Sequence, residues 1–406
     1  MYQASGFSRV AGLVAGLASL LAGGERVAAQ SVLEDFPTGS AAAAWALWQP
    51  AMQAVLDRNT QRAEELFGQL LGTEPSAFRI ALLAERTERR TALGGALLLL
   101  QQDYENQALG PNARRIVELL EVGTEQKNEA DDGWYFCALG RFDVAQANFQ
   151  ALLASAPDPV ALLEFTDAVP RRREMLLQLT EHELVGSAVR GILGLLDRGE
   201  ELIKADPTRI KTSVERLGGP PRAYENAVAL LKQSGEYAVP FIVEALRDPQ
   251  RQELTRPILS CLGQMGRPAV NPLVYAIRVG QPVVRGYLIE ALGQIGYPQA
   301  LPYLLQLREQ ADLPPEVRAA VDAAVSALAQ RTGAADVGLS AADAFYRLAV
   351  AYYQDTPSLA ADPRLDTANV WYWRDDLLQN IPVPTPVFNE IMCMRCCEAV
   401  SYTHLR

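Results

Sequence analysis

The chain has 406 residues, of which 49% are hydrophobic, and 48 acidic against 37 basic residues give it a formal net charge of −11 at pH 7. This acidic balance offers no basic surface for nucleic acid or for an anionic membrane, so we expect neither as a partner. Five cysteines in a chain of this length also exclude a dense disulfide framework.

Residues 1–29 have the pattern of a secretory signal peptide. Arg9 supplies a positive charge, the apolar run VAGLVAGLASLLAG follows it, and Val27-Ala28-Ala29 offers small residues for cleavage. The run is shorter than the roughly 20 residues that span a bilayer, so we expect no transmembrane span in the mature chain. The pattern predicts export to the periplasm or envelope of a bacterium; a buried first helix is the alternative.

Residues 30–180 are predicted to form one block of helical repeats. RAEELFGQLLGTEP, from Arg62, and VAQANFQALLASAP, from Val144, carry a small, an aromatic, an aliphatic and a proline residue at the same offsets, 82 residues apart. This spacing resembles the second helix and exit turn of a tetratricopeptide repeat. The resemblance implies that the small residue lets two helices approach while the aromatic ring fills the groove between them. The matching pairs are Ala63/Ala145, Phe67/Phe149, Leu70/Leu152 and Pro75/Pro157.

Residues 181–333 contain a second kind of repeat. CLGQMG and ALGQIG place Gly263 and Gly293 30 residues apart, and apolar residues recur at helical spacing around them. Gly235, Gly266 and Gly296 are placed to end successive helices, because a left-handed residue after a helix favours glycine. The pattern predicts four helix pairs: Pro207–Leu217 with Pro221–Ser234, Ala238–Arg247 with Glu253–Met265, Ala269–Arg278 with Pro282–Ile295, and Gln299–Gln310 with Pro314–Gln330.

The segment PVVRGYLIEALGQIG resembles the second helix of a HEAT repeat, of the short kind grouped with phycobilisome lyase repeats. Arg285 stands eight positions before Gly293, where that family often carries arginine, and Arg256 stands seven before Gly263. A single helix pair cannot bury its apolar stripe, so repeats of this kind must stack. The two blocks together predict an all-α solenoid, tetratricopeptide-like first and HEAT-like second.

The C-terminal part is predicted less regularly. In residues 334–390, Ala341–Tyr353 resembles a first repeat helix, and three prolines at 382, 384 and 386 suggest an extended connector. Between them, Trp371, Tyr372 and Trp373 either contact a ligand or peptide, or close the last HEAT pair as a lid. Residues 391–406 are interpreted as the start of a further, truncated repeat without a partner helix, with the hypothesis that the tail does not belong to the natural protein.

Residues that could carry chemistry are few. His182 is interpreted as a solvated helix residue, and the Cys-x-x-Cys formed by Cys393 and Cys396, followed by Cys397, as helix packing. The basic run at residues 171–173 is interpreted as a solvated turn or an acidic-peptide contact. We therefore predict a chain that is not an enzyme, with no catalytic residue, cofactor or metal.

The predicted function is a non-catalytic scaffold for a protein or peptide partner, in an exported or envelope-associated complex. The alternative, which the resemblance to lyase repeats implies, is a lyase or carrier acting on a bilin-like chromophore or another small ligand. Arg256 and Arg285 have a second interpretation as structural ties, for which Asp248 would be the acidic partner. The candidate partner-binding residues are Arg256, Gln264, Arg285, Glu290, Gln294, Trp371 and Trp373.

Overall fold

The computed structural model describes residues 39–90, 93–332 and 338–404. The predicted signal peptide, residues 1–29, lies outside the described residues. Within the described part, no helix combines the length and the apolar character needed to cross a bilayer.

The N-terminal block consists of nine described helices that pack largely on helices one or two places away along the chain. The longest, Pro111–Ala138, has 28 residues and contacts the helices on both sides of it. The nine are α1 Gly39–Leu56, α2 Thr60–Leu71, α3 Ala77–Arg90, α4 Gly94–Glu105, α5 Pro111–Ala138, α6 Phe142–Ala154, α7 Pro159–Asp167, α8 Arg171–Leu179 and α9 Gly186–Lys204.

The two stretches that match in sequence at a spacing of 82 residues also match in burial and in backbone conformation. The small, aromatic and aliphatic residues of both stretches are buried, on α2 and α6 respectively. Before each helix one residue has positive φ, Arg58 at 55° and Gly140 at 70°, and after each helix another does, Glu74 at 52° and Ala156 at 48°. Arg58 thus adopts the left-handed conformation without the glycine that favours it.

The second block follows the predicted pairs closely. Three of its first helices are preceded by short 3₁₀ turns, and Gly235, Gly266 and Gly296 have positive φ, at 56°, 72° and 75°. Of the three, Gly296 follows its helix in the predicted left-handed conformation, whereas ψ at Gly235 and Gly266 lies outside that region and Gly266 lies beyond the helix end at Leu262. The helices are α10 Pro207–Arg216, α11 Pro221–Ser234, α12 Val239–Arg247, α13 Thr255–Leu262, α14 Val270–Ala276, α15 Pro282–Ile295, α16 Leu301–Arg308 and α17 Pro315–Thr332. In each pair the even-numbered member is here named the first helix and the odd-numbered member the second helix.

The repeated glycines lie where successive second helices meet. A Cβ atom added to Gly293 would lie 2.9 Å from the Cα of Ala324 on α17, and one added to Gly263 would lie 2.3 Å from Oε1 of Gln294 on α15. Real Cβ contacts are essentially never this short, so Gly293 sets the distance between α15 and α17. At Gly263 the obstructing atom is the tip of a flexible side chain, which could move aside.

The boundary between the two blocks differs from the predicted one at residue 181. The apolar residues of α9, through Ile203, belong to the core of the N-terminal block, together with Phe78 and Phe149. A second core begins at Ile210 and continues through Cys396. The division therefore falls between α9 and α10, because α9 turns its apolar face toward α6 and α7.

The C-terminal part corrects two predictions. The expected extended connector is an antiparallel β-hairpin, β1 Thr367–Arg374 and β2 Leu377–Pro384, set between α18 Ala341–Tyr353 and α19 Phe388–His404. Up to His404, the expected uncovered helix at residues 391–406 is part of α19, which packs along α18 as the second helix of a fifth pair; residues 405 and 406 lie outside the described residues. The all-α solenoid is otherwise confirmed.

The turn and the prolines of the hairpin follow from its register. Arg374 pairs with Leu377, so Asp375 and Asp376 form a two-residue turn, and both have positive φ, as a type I′ turn requires. The amide of Thr385 donates to the carbonyl of Asp366 at 2.9 Å, so by alternation the pairs that contain Pro382 and Pro384 are not hydrogen-bonded. Both proline nitrogens face the outer edge of β2, where they hinder the addition of another strand.

Substitution of Gly293 by alanine is expected to lower the melting temperature, because overpacking of a close contact costs about 1–3 kcal/mol. Gly286, in the same helix, has open space around its Cβ position. Gly286→Ala is the matched control and should raise stability, since alanine in a helix interior is favoured over glycine by about 0.5–1 kcal/mol. Thermal unfolding followed by circular dichroism measures both; an equal shift for the two variants would contradict the close-contact explanation.

Candidate functional site

The outward face of the second helices carries most of the residues singled out in the sequence. Arg256 on α13, Glu290 and Gln294 on α15, and Gln264 just after α13 are all exposed. We call these four residues the second-helix face. Gln294 donates to Oε1 of Glu290 at 3.1 Å, and Gln264 donates to the carbonyl of Ser260 at 3.0 Å. These contacts lie within one helix turn, so the polar groups remain at the surface.

Arg285 does not belong to this face. Its Nε and Nη2 atoms donate to the carbonyl of Val279 at 3.0 and 2.7 Å, and its side chain is half-buried. Val279 lies in the turn between α14 and α15 and is fully buried. Arg285 therefore ties the turn to the helix that follows, through a carbonyl rather than through the carboxylate of Asp248. Asp248 forms an ion pair with Arg251 at 3.1 Å instead.

Trp371 is not available to a partner in this structure. It lies in β1 with 1% of its surface exposed, and Trp373 is half-buried on the same face of the strand. The hairpin rests on α12 and α14, the first helices of the second and third pairs, rather than on the last HEAT pair. The aromatic segment therefore covers repeat helices, as the lid interpretation expected, but these are not the helices of the last pair.

A buried polar network fixes β1 to the start of α12. Glu236 receives two hydrogen bonds from the strand, one from Nε1 of Trp371 at 2.8 Å and one from Nδ2 of Asn369 at 2.7 Å. Asn369 also donates to the hydroxyl of Tyr237 at 2.8 Å and accepts from Asn380 of β2 at 2.7 Å. Every strand-side polar group in this network therefore has a defined partner.

The carboxyl of Glu236 lies beneath the hairpin, although part of the residue is exposed. Burial raises the pKa of this carboxyl above its ordinary value, while the hydrogen bonds from Trp371 and Asn369 oppose the rise and Glu201 adds to it. Burial also raises the pKa of the neighbouring Tyr237 hydroxyl, with Glu201 acting in the same direction. The hairpin is thus held by a group whose charged form is unfavourable where it lies.

Two arginines clamp the hairpin at other points. Arg247, on α12, forms an ion pair with Asp376 in the turn and donates to the carbonyl of Asp376 at 2.8 Å. Arg395, on α19, lies between two rings, 4.1 Å from the ring centre of Tyr275 and 4.2 Å from that of Tyr372. Sequence reasoning missed Glu236 and both arginines, because none stands in a motif and each acts on residues far along the chain.

The remaining candidates for chemistry are explained by internal contacts. The basic run at residues 171–173 is not a solvated turn: Arg172 donates to Asp131 at 2.7 Å and stacks on Phe165, and Arg173 pairs with Glu200 at 2.6 Å. His182 lies in the turn before α9, half-buried, 4.1 Å from the ring of Phe142.

The cysteines near the C-terminus are positioned for packing. Cys396 is buried, and burial raises the pKa of its thiol to about 12, so at neutral pH the thiol stays protonated and weakly nucleophilic. Cys393 and Cys397 lie one turn apart on the more exposed side of α19. Across residues 39–90, 93–332 and 338–404, no three His, Cys, Asp or Glu side chains are grouped as metal ligands would be.

Comparison with known proteins identifies the repeats. Residues 239–329 match the family described as HEAT repeats, which covers the second and third pairs and most of the fourth. No curated protein matches the chain. The match confirms the HEAT resemblance at this coarse level; the subdivision into lyase-type repeats stays a prediction.

Arg285→Ala is expected to destabilise the chain by about 1–3 kcal/mol, because hydrogen bonds from a charged group to a buried carbonyl are of that order. Arg256→Ala, at the similar place in the preceding pair, is the matched control and should change stability by less than about 0.5 kcal/mol, as exposed residues usually do. Urea unfolding measures both. Equal effects would show that Arg285 is not a structural tie.

The pH dependence of stability should report the burial of Glu236. A folded-state pKa above that of the unfolded chain gives a stabilisation that is complete below about pH 4.5 and is lost as the pH rises through the folded-state pKa. The melting temperature of the wild type, minus that of Glu236→Gln, should therefore fall between pH 4 and pH 8. Glu225→Gln, an exposed change on α11, is the control. A constant difference would contradict the burial of an ionisable group.

Proposed function

We propose that the chain is a non-catalytic scaffold that binds a protein partner on its second-helix face. HEAT repeats commonly present such surfaces, and residues 239–329 match that family. The proposal concerns the role of the surface; the partner is defined here only by its chemistry.

The observation that carries the proposal is an asymmetry between the two sides of the HEAT block. On α14, a first helix, six of the seven residues are buried, because the hairpin covers it. On α13 and α15 most apolar residues face inward, with Val283 an exposed exception, while Arg256, Gln264, Glu290 and Gln294 remain at the surface. The side that presents charges and amides is the second-helix side.

The composition of this face indicates a polar partner. It carries charges of both signs and two amides, each of which can donate and accept hydrogen bonds. Such a surface suits a protein segment with its own charged and amide groups better than an apolar helix. We assign the interaction to this face and not to Trp371, which is occupied by Glu236.

We extend the proposal to the kind of repeat in the N-terminal block and to the cellular location of the protein. The buried small, aromatic and aliphatic residues of α2 and α6, with left-handed turns before and after each, support a tetratricopeptide-like origin for this block. The sequence pattern of residues 1–29 supports export to a bacterial periplasm or envelope. The scaffold would then act in a complex outside the cytoplasm.

The test is crosslinking of residues 30–406, expressed in the exported compartment of a bacterial host, followed by mass spectrometry and by measurement of Kd with the purified partner. Arg256→Glu and Glu290→Lys should each weaken binding at least tenfold. Two exposed charges outside the HEAT block, in Arg198→Glu and Glu183→Lys, are matched controls and should leave Kd unchanged. Equal affinity for all variants would place the partner elsewhere, and recovery of a coloured ligand without protein would favour the carrier alternative.

A further inference from the structure

The β-hairpin enters and leaves the fold at one point. The amide of Thr385 donates to the carbonyl of Asp366 at 2.9 Å, and its hydroxyl donates to the carbonyl of Leu365 at 2.5 Å. Residues at the two ends of the hairpin are therefore bonded to each other. The hairpin is inserted in sequence between α18 and α19, which pack on each other. Movement of the hairpin does not require α18 and α19 to separate.

Polar contacts and two fully buried side chains of β1, Val370 and Trp371, fasten the hairpin. Glu236 binds β1 in the middle, Arg247 binds the turn at Asp376, and Arg395 donates to the carbonyl of Trp371 at 2.9 Å. In β2, Leu378 is the single buried residue, and most of the strand faces solvent. Few apolar groups of β2 would have to leave a core if the hairpin undocked.

Three features lower the local stability of the docked state. A two-stranded hairpin is at best marginally stable by itself, so undocked strands unfold. Asp375 and Asp376 both hold left-handed backbone conformations, at φ of 52° and 58°, which aspartate tolerates less readily than glycine. The carboxyl of Glu236 is desolvated beneath the strand. Segments of this kind open before the core that supports them.

The surface beneath the hairpin, called here the groove, is formed by α12 and α14. Both helices contribute to the second core, in which Val370 and Trp371 of β1 are also buried. Glu236, just before α12, accepts a hydrogen bond from the indole N–H of Trp371, and Arg247 pairs with the carboxylate of Asp376. The groove thus holds an extended segment through a tryptophan and, beyond it, an acidic residue.

We propose that the hairpin is a displaceable latch: it opens as a unit while the helices stay folded, and it competes in cis for a groove that accepts a tryptophan-bearing extended segment of a partner protein. This groove lies on the first-helix side and is separate from the second-helix face. The inference does not depend on the function proposed for that face.

The first test is hydrogen exchange of the full chain at low denaturant. Amides of β1 should exchange through local opening, at least tenfold faster than those of α15, and Arg247→Ala should increase the rate for the hairpin alone. Arg198→Glu, a surface change on α9, is the control. Exchange of β1 only through global unfolding, with the same denaturant dependence as α15, would overturn the proposal.

The second test supplies the hairpin in trans. Residues 367–384 are replaced by Gly-Ser-Gly between Asp366 and Thr385, and a fluorescein-labelled peptide of residues 366–385 is titrated by anisotropy. We expect saturable binding, at least tenfold tighter to the deletion variant than to the full chain, where the cis hairpin competes. Trp371→Ala in the peptide, or Glu236→Ala in the deletion variant, should weaken binding at least tenfold.

Any of three results in this second test would also overturn the proposal. A deletion variant that keeps its helical circular dichroism and binds no peptide would show that the groove is not a binding site. A deletion variant that loses its helical structure would show that the hairpin is a permanent part of the core. Binding that survives Trp371→Ala would assign the recognition to other residues and contradict the groove as described.

Discussion

The close approach of α15 and α17, the second helices of the third and fourth pairs, is the tightest constraint in the HEAT block. At Gly293 the backbone of α15 lies so near Ala324 that a Cβ atom would come within 2.9 Å of that residue's Cα. The stacked pairs share one core, which extends from Ile210 to Cys396. Each pair depends on its neighbours to bury its apolar stripe, so a fold of this kind repeats the helix pair along the chain.

The hairpin gives this block two different sides. It covers α14 through aromatic side chains and a buried carboxylate, while the second helices keep charges and amides at the surface. A buried carboxylate that accepts two hydrogen bonds orients the strand, but its desolvation limits how firmly the strand is held. The block therefore has one side that the hairpin covers and one side that stays exposed.

Several predictions failed where a contact joins distant parts of the chain. The basic residues Arg172 and Arg173 looked solvated in sequence, yet they pair with acids on α5 and α9. The segment around Cys393 looked like the start of an uncovered helix. Its partner α18 is separated from it in sequence by the hairpin, and the prolines made that hairpin look like a connector. Pro382 and Pro384 were correctly associated with extended backbone, but an edge strand and a connector have the same local pattern.

The sequence by itself determined the helix pairs, their glycine ends and the positions of the exposed polar residues Arg256, Gln264, Glu290 and Gln294, because helical periodicity and turn chemistry act within a few residues. It also indicated that residues 371–373 were unusual. Only the tertiary structure decided that Trp371 is buried on Glu236, 135 residues away, that Arg285 holds a turn, and that Arg395 lies between two rings. These contacts depend on which surfaces the stacked helices bring together, and no local pattern of residues encodes that.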